Sequence, residues 1–336
     1  MLVTDVKPRR EHMRLAKYFA FLLTAALIAG AQEPAQAQKY PNRPVHIVNT
    51  FPAGGSGDAV LRIVFDKVGL ALDQPFVIET RAGASGAIGT DFVARAAPDG
   101  YTFVLGTAST FGTNSSTQTS LPYDPITDFT PVILMARTPY FLLINPSVKA
   151  DTLAEYVSLV KANPGKFNFG SFGAGSSNQL AYELLKYATG MDVVHVPYKG
   201  GAPLITALLS GEIQSSMDVY GTSIQYIRAG KMRVLGVASA ERFSLLPEVP
   251  TLKEQGYDVE GGTFFALLGP ANLPAQVVEI MNREVSKALT LPEVRKKLAA
   301  LGVEPVSGSP EELASAVSNE VKKWAQLVKV RNLKFN

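Results

Sequence analysis

The chain has no cysteine in 336 residues. That excludes disulfides, thiolate nucleophiles, cysteine metal ligands and a lipid anchor on an N-terminal cysteine, and it leaves packing to hold the fold. Histidine is scarce, with three in all, and no two have the spacing of metal ligands. His46 and His195 both stand inside apolar stretches, where a hydrogen-bonded structural histidine is the ordinary outcome. No Gly-x-Ser-x-Gly elbow surrounds Ser85, Ser171 or Ser176, so an activated serine has no sequence support either. Lys/Arg-rich runs are absent and the formal net charge is only +3, which gives nucleic acid no electrostatic footprint. Long apolar runs are missing too. The longest, Tyr18 to Gly30, spans 13 residues, short of the roughly 20 that a membrane helix needs.

That short run has a purpose of its own. Arg14 and Lys17 precede it and Ala35-Gln36-Ala37 follows it, the layout of an export signal cleaved after Ala37. Residues 1–37 are therefore expected to be removed on the way to the periplasm. Five basic and three acidic side chains go with them, leaving a formal charge of +1.

With 46% hydrophobic and 18% charged residues, the remainder can bury more than one core. From Val45 onward, short apolar runs alternate with amphipathic ones. Strands are expected at Val45 to Thr50, Phe76 to Thr80 and Thr102 to Leu105, with helices over Val60 to Leu72 and Thr90 to Ala96. Val60, Ile63, Val64, Val68 and Leu72 fall at spacings of three and four, a single buried stripe. Thr107 to Pro131 is rich in Ser, Thr, Asn and Pro and reads as loop, after which Tyr140 to Ile144 reads as a strand. The alternation then restarts: four further strands, at Asn168 to Ser171, Val193 to Val196, Ile213 to Met217 and Met232 to Ala238, lie between helices. Thr263 to Leu268 is an apolar return strand leading into C-terminal helices, on which Trp324 is a packing residue.

This pattern predicts an α/β protein of two lobes, each a mainly parallel sheet flanked by helices, joined by a two-strand hinge. Lobe 1 comprises residues 38–143 plus 266–336 and lobe 2 residues 144–265. Ligands of open parallel sheets sit beyond the carboxyl ends of the strands, so the cleft between lobes is the expected site.

Two glycine-rich loops, one per lobe, join a strand to a helix there. One runs Phe51-Pro52-Ala53-Gly54-Gly55-Ser56-Gly57-Asp58 and the other Ser171-Phe172-Gly173-Ala174-Gly175-Ser176-Ser177-Asn178. A helix start offers unpaired N–H groups and partial positive charge, and glycine lets an anion approach, so each loop can cradle a carboxylate. The alternative is that these glycines only serve turns, with Asp58, Ser176 or Ser177 as helix caps. The first loop lacks a P-loop lysine and the second has Asn178 where a dinucleotide fingerprint needs glycine, which disfavours nucleotides. A third loop, Val196 to Ala202, brings Tyr198 and Lys199 to the same cleft. Asp218, closing another strand, either accepts a hydrogen bond from a ligand or caps the helix that follows.

Further stretches complete the set: Tyr40-Pro41-Asn42-Arg43-Pro44, Gly83-Ala84-Ser85-Gly86 with Gly89, Ala97-Pro98-Asp99-Gly100-Tyr101-Thr102, Leu121-Pro122-Tyr123-Asp124-Pro125, Leu246-Pro247-Glu248-Val249-Pro250-Thr251 and Gly269-Pro270. Together with the loops, they make the chain resemble the periplasmic receptors of tripartite tricarboxylate transporters, the TctC-like or Bug family, over essentially its whole length after residue 37. The resemblance implies a Venus-flytrap, periplasmic-binding-protein fold that closes on a small organic carboxylate and hands it to membrane permease subunits. It implies no catalysis, no cofactor and a monomer. It assigns ligand contacts to Phe51, Ala53, Gly54, Gly55 and Asp58 in one lobe and to Ser171, Gly173, Gly175 and Ser176 in the other, with Tyr198, Lys199 and Asp218 meeting the ligand's far end. Two departures stand out: Thr50 where the family commonly has proline, and Asn178-Gln179 where it often has a proline or small residue and then histidine. A receptor that feeds a signalling protein, and a periplasmic hydrolase or isomerase using Ser85, Ser176, His195 or Asp218, are the competing readings.

Overall fold

A computed structural model describes residues 40–333 and residue 335. The export-signal reading falls on residues 1–37, outside the described ones. From Arg43 onward the chain forms one compact unit.

The first lobe opens with β1 (Val45–Asn49), whose Val, Ile and Val side chains are fully buried, followed by α1 (Ser56–Leu72) and β2 (Phe76–Thr80). α2 (Ala87–Ala94) and β3 (Thr102–Thr107) come next, then a wide helical turn over 109–113 running into α3 (Asn114–Thr117). β4 (Phe129–Ile144) leads into the second lobe, which contains α4 (Leu153–Lys161), β5 (Asn168–Ser171), α5 (Ser177–Thr189), β6 (Val194–Pro197), α6 (Gly201–Ser210), β7 (Ser215–Val219), α7 (Tyr220–Arg228) and β8 (Arg233–Val237). β9 (Gly262–Pro270) returns to the first lobe. There α8 (Ala275–Thr290), α9 (Pro292–Ala300), the short β10 (Glu304–Pro305) and α10 (Pro310–Val330) complete the chain. α10 begins with a capping box between Ser309 and Glu312 and has Pro310 in its first turn, as its sequence requires.

Within each lobe the outer strands run parallel: β2, β1 and β3 in one, β6, β5 and β7 in the other. The antiparallel pairs all involve β4 or β9, the two strands that pass between lobes. β4 is the structural spine. Its first part pairs with β9 and β10 and its last five residues with β7 and β8. The exchange of partners falls at Pro139, which faces Gly262, and Tyr140, which faces Val219. Proline brings no N–H to the ladder, so pairing can change hands there without orphaning a donor. Both lobe boundaries expected from sequence, 143/144 and 265/266, fall within these two strands.

Two local expectations are corrected. Pro131 does not end a loop. It lies inside β4, where the register shifts at Pro131/Ile133 and again at Leu134/Ala136, so the strand accommodates a residue without an N–H by bulging. Residues 109–117, expected as loop, are helical, with Thr113 N–H donating to Ala108 C=O. In α1 the buried stripe includes Val60, Val64 and Val68 as expected, but Leu61 and Phe65 join it while Ile63 and Leu72 are only half-buried. The face is turned by one position because the helix packs between the sheet and the C-terminal helices.

Candidate functional site

β1 ends on Asn49, and the loop after it turns at Gly54 (φ +83°) into α1, whose N-cap is Gly55 in an extended conformation. Asp58 is not the cap. Its Oδ2 accepts from the Gly54 amide at 3.1 Å, and Arg62 donates to both carboxylate oxygens at 3.1 Å. That pair tightens the loop and keeps Asp58 matched. The first-turn amides of α1 precede any helical carbonyl that could receive them, so this end of the helix is electropositive.

Asn49 Oδ1 accepts from the Phe51 amide, but Asn49 Nδ2 is buried without a partner, and so is Ser56 Oγ. Both residues line one cavity of about 60 Å³. Its other walls include Phe51, Thr107, Ser109, Phe172, Asp218, Thr222 and Thr263, drawn from both lobes. The hydroxyls of Thr107, Ser109, Thr222 and Thr263 are all engaged within the chain. Asp218 has no exposed surface. Its Oδ1 accepts from the Val219 amide at 2.8 Å and its Oδ2 from the Thr222 hydroxyl at 2.9 Å. Burial pushes its pKa up to about 7, against the pull of those two donors.

The second loop is built differently. Asn178 Oδ1 accepts from the Phe172 amide and the Ser176 hydroxyl, Gln179 Oε1 accepts from the Gly175 amide at 2.6 Å, and Ser171 Oγ accepts from the Gly173 amide. The loop's amides are thus largely taken up by its own side chains. The glycines of this loop and of the third one face the other lobe instead: a Cβ on Gly173 would meet Ser85, one on Gly175 would meet Thr117, and one on Gly200, in the third loop, would meet Pro52. All three have positive φ, so each is glycine for conformation and for closeness. The lobes are joined across this contact. Ser85 Oγ donates to Ala174 C=O at 2.7 Å, Thr113 Oγ1 to Gly175 C=O at 2.8 Å, and the Ser177 amide to Ser109 Oγ at 3.1 Å.

Phe51 and Phe172, one from each lobe, meet edge to face with centroids 6.4 Å apart. Behind them lies the inner cavity. On their other side is an outer one of about 340 Å³, lined by Gly83 to Gly86, Gln118, Gly173, Tyr198 and Lys199 among others. Tyr198 donates its hydroxyl to Glu212 at 2.7 Å, and Lys199 is exposed at the mouth.

Of the twelve residues singled out from sequence, Phe51, Gly55, Asp58 and Asp218 line the inner cavity, and Phe51, Gly173, Tyr198 and Lys199 the outer one. Ala53, Gly54, Ser171, Gly175 and Ser176 line neither. Sequence reasoning passed over Asn49, Ser56, Thr107, Ser109, Phe172, Thr222 and Thr263. Asn49 had a signal, a polar residue closing an otherwise apolar strand. Ser109 had none, because the segment containing it read as plain loop.

Ser171 and His195 are 2.7 Å apart, the nearest approach to a nucleophile–base pair in this region. Ser171 is fully buried, its Oγ also bonds within its own loop, and burial beside Lys186 lowers the His195 pKa to about 4. A larger groove of about 1250 Å³ lies behind the hinge, bordered by Arg137, Thr138, Arg242, Thr263 and α10. Among the described residues, its lining includes none that carries an unpartnered buried group.

Two lobes on a two-strand hinge, bringing loops from both sides to one small cavity, define a solute-binding receptor. Residues 60–333 match the tripartite tricarboxylate transporter family receptor. The chain is 32% identical over 325 residues to the protein BugT of Bordetella pertussis, covering 96% of this chain and all of that one. It superposes with a TM-score of 0.85 on an R. palustris protein solved with adipate, at 33% identity over 88% of this chain and 99% of the other. MatC from Rhodopseudomonas palustris with bound malate gives 0.83, at 32% identity over 86% of this chain and all of MatC. The chain belongs to the tripartite tricarboxylate transporter receptor family.

Proposed function

We propose that this receptor captures a small organic carboxylate between its lobes, in the periplasm, and delivers it as a monomer to the membrane permease subunits of a tripartite transporter. Residues 1–37 act as the export signal and are removed after Ala37. Residues 38–143 with 266–336 form one lobe and residues 144–265 the other. The observation that carries the ligand class is that Asn49 and Ser56, whose Nδ2 and Oγ are buried without partners, both line one small cavity beside the N-terminus of α1. Burying such groups unpaired costs about 1–3 kcal/mol each, a cost that an acceptor supplied by a ligand removes. An anion is the acceptor that the helix end favours. Relatives solved with adipate and malate support the same class.

In this reading Phe51, Ala53, Gly54, Gly55 and Asp58 form the loop that presents those donors. Ser171, Gly173, Gly175 and Ser176 form the rigid surface that closes on it, and Tyr198, Lys199 and Asp218 meet the rest of the ligand. Binding works by differential affinity: the closed arrangement completes the cavity, so the ligand shifts the population toward it. The protein is a receptor and not an enzyme, a reading that the buried and self-bonded Ser171 supports.

A thermal-shift screen of mono-, di- and tricarboxylic and aromatic acids tests this directly, since a ligand specific for the native state raises Tm by mass action. A rise of several degrees with one class of acid is expected. No response to any acid would sink the carboxylate reading, and recovery of a chemically altered ligand after incubation would sink the non-enzymatic one.

A further inference from the structure

We propose that the inner cavity selects acids bearing a hydrogen-bond donor on the carbon next to the carboxylate, that is 2-hydroxy or 2-amino acids. Asn49 Nδ2 and Ser56 Oγ hold the carboxylate, and Asp218 of the opposite lobe accepts from the hydroxyl or ammonium. The inference rests on the carboxylate reading and deepens it.

Three observations carry it. First, the free hydrogen-bonding capacity of the lining residues is polarised. The two unpartnered side-chain groups among them, the NH₂ of Asn49 and the hydroxyl of Ser56, both come from the first lobe, and the hydroxyls of Thr107, Ser109, Thr222 and Thr263 around the cavity are already engaged. Second, Asp218 is the unmatched carboxylate of this cavity. Asp58 also lines it but is paired with Arg62, whereas Asp218 receives only one amide and one hydroxyl, leaving each oxygen a further lone pair. No cation among the described residues bonds to it. Third, the space is short. One water needs about 10–15 Å³ of such cavity space, so about 60 Å³ admits only a handful of heavy atoms, a carboxylate, its neighbouring carbon and a substituent.

These facts constrain each other. An anion held by Asn49 and Ser56 sits within a few atoms of a buried carboxylate, and in a low-dielectric cavity that juxtaposition is repulsive. A hydroxyl or ammonium between the two converts repulsion into a bridge, its hydrogen on Asp218 and its carbon on the ligand. A methylene in the same place leaves Asp218 desolvated and unbridged. The two halves of the bridge also come from different lobes, so a donor-bearing acid ties the lobes together and a plain acid does not. The remainder of a longer ligand passes between Phe51 and Phe172 into the outer cavity.

The test is isothermal titration of the purified protein at mildly alkaline pH with matched acids: propionate against lactate and alanine, and succinate against malate and aspartate, each chiral acid as both enantiomers. One enantiomer of a donor-bearing acid in at least one series should bind about tenfold or more tighter than its parent, the worth of a charge-assisted hydrogen bond. Asp218→Asn should shrink that margin, most for the ammonium acids. Parent acids that match their 2-substituted partners, or an undiminished margin in the variant, overturn the selectivity while leaving carboxylate binding intact. Silence from every acid overturns both readings. Should Asp218→Asn fail to fold, the ratio measured in the unmodified protein still decides.

Discussion

The two glycine-rich loops look alike in sequence and occupy equivalent strand-to-helix positions, yet they are finished in opposite ways. The first ties its Phe51 amide to Asn49 and its Gly54 amide to Asp58 but leaves Asn49 Nδ2 and Ser56 Oγ unpartnered, both residues lining a cavity. The second ties off the amides of Phe172, Gly173 and Gly175 with Asn178, Ser171 and Gln179, and places its glycines against the facing lobe. One loop is built to receive a ligand and the other to be a surface that closes. A helix start after a glycine run is therefore an anion site only if its own side chains leave the donors free.

The largest effect should come from spoiling the closing surface. Gly175 has φ +79°, and a Cβ there would run into Thr117 of the other lobe. Gly175→Val should weaken ligand binding by about a hundredfold or more, because the closed population it needs becomes costly. Gly55→Ala, where the new Cβ meets only ordinary contact with Pro52 C=O, should change affinity far less. Titration of both variants with the same acid measures this, and equal losses would mean that the loops are equivalent after all.

A smaller pair of effects should cross over. Asn178 is fully buried, its Oδ1 accepts from two groups and its Nδ2 donates to Met217 C=O, so Asn178→Ala should cost roughly 2–3 kcal/mol of stability. Ser56→Ala removes a buried hydroxyl that bonds to nothing in the chain, so stability should stay level or rise by up to about 1 kcal/mol. Its loss should appear in ligand affinity, about tenfold. Urea melts and titrations on the two variants should therefore disagree in opposite senses. A Ser56→Ala protein that is destabilised but binds normally would reverse the assignment of the loops.

How much of this was legible beforehand follows from where the signal lives. Alternating apolar runs located β1, β2, β3 and β5 to within a residue or two, since burial patterns are local. The loops were legible as loops. Their division of labour was not, because it depends on where the side chains of Asn178 and Gln179 fold back and on which lobe each glycine meets. β4 was only partly readable: its prolines signal loop, but a long-range partner, β9, enforces a strand around them. Ser109 and Thr113 were invisible as lobe-closing residues, since their partners Ser177 and Gly175 lie more than sixty residues away.

The smallest expected effect sharpens the comparison through pH. The second loop has a histidine strut, Ser171 Oγ being held by His195 Nε2, whereas the first loop is braced by the Asp58–Arg62 pair. Burial and Lys186 lower the His195 pKa to about 4, below its ordinary value near 6.5. Between those values the unfolded chain binds a proton that the folded one refuses, so this residue's contribution is intact above about pH 6.5 and is lost as pH falls toward 4. Being partly exposed, it should move Tm by only about one or two degrees. His195→Gln, able to keep a partner for Ser171 without titrating, should flatten that part of the Tm-against-pH curve, every other group titrating alike in both proteins. If acid instead loosened the two proteins equally, the strut would not be what holds the second loop in its closing shape.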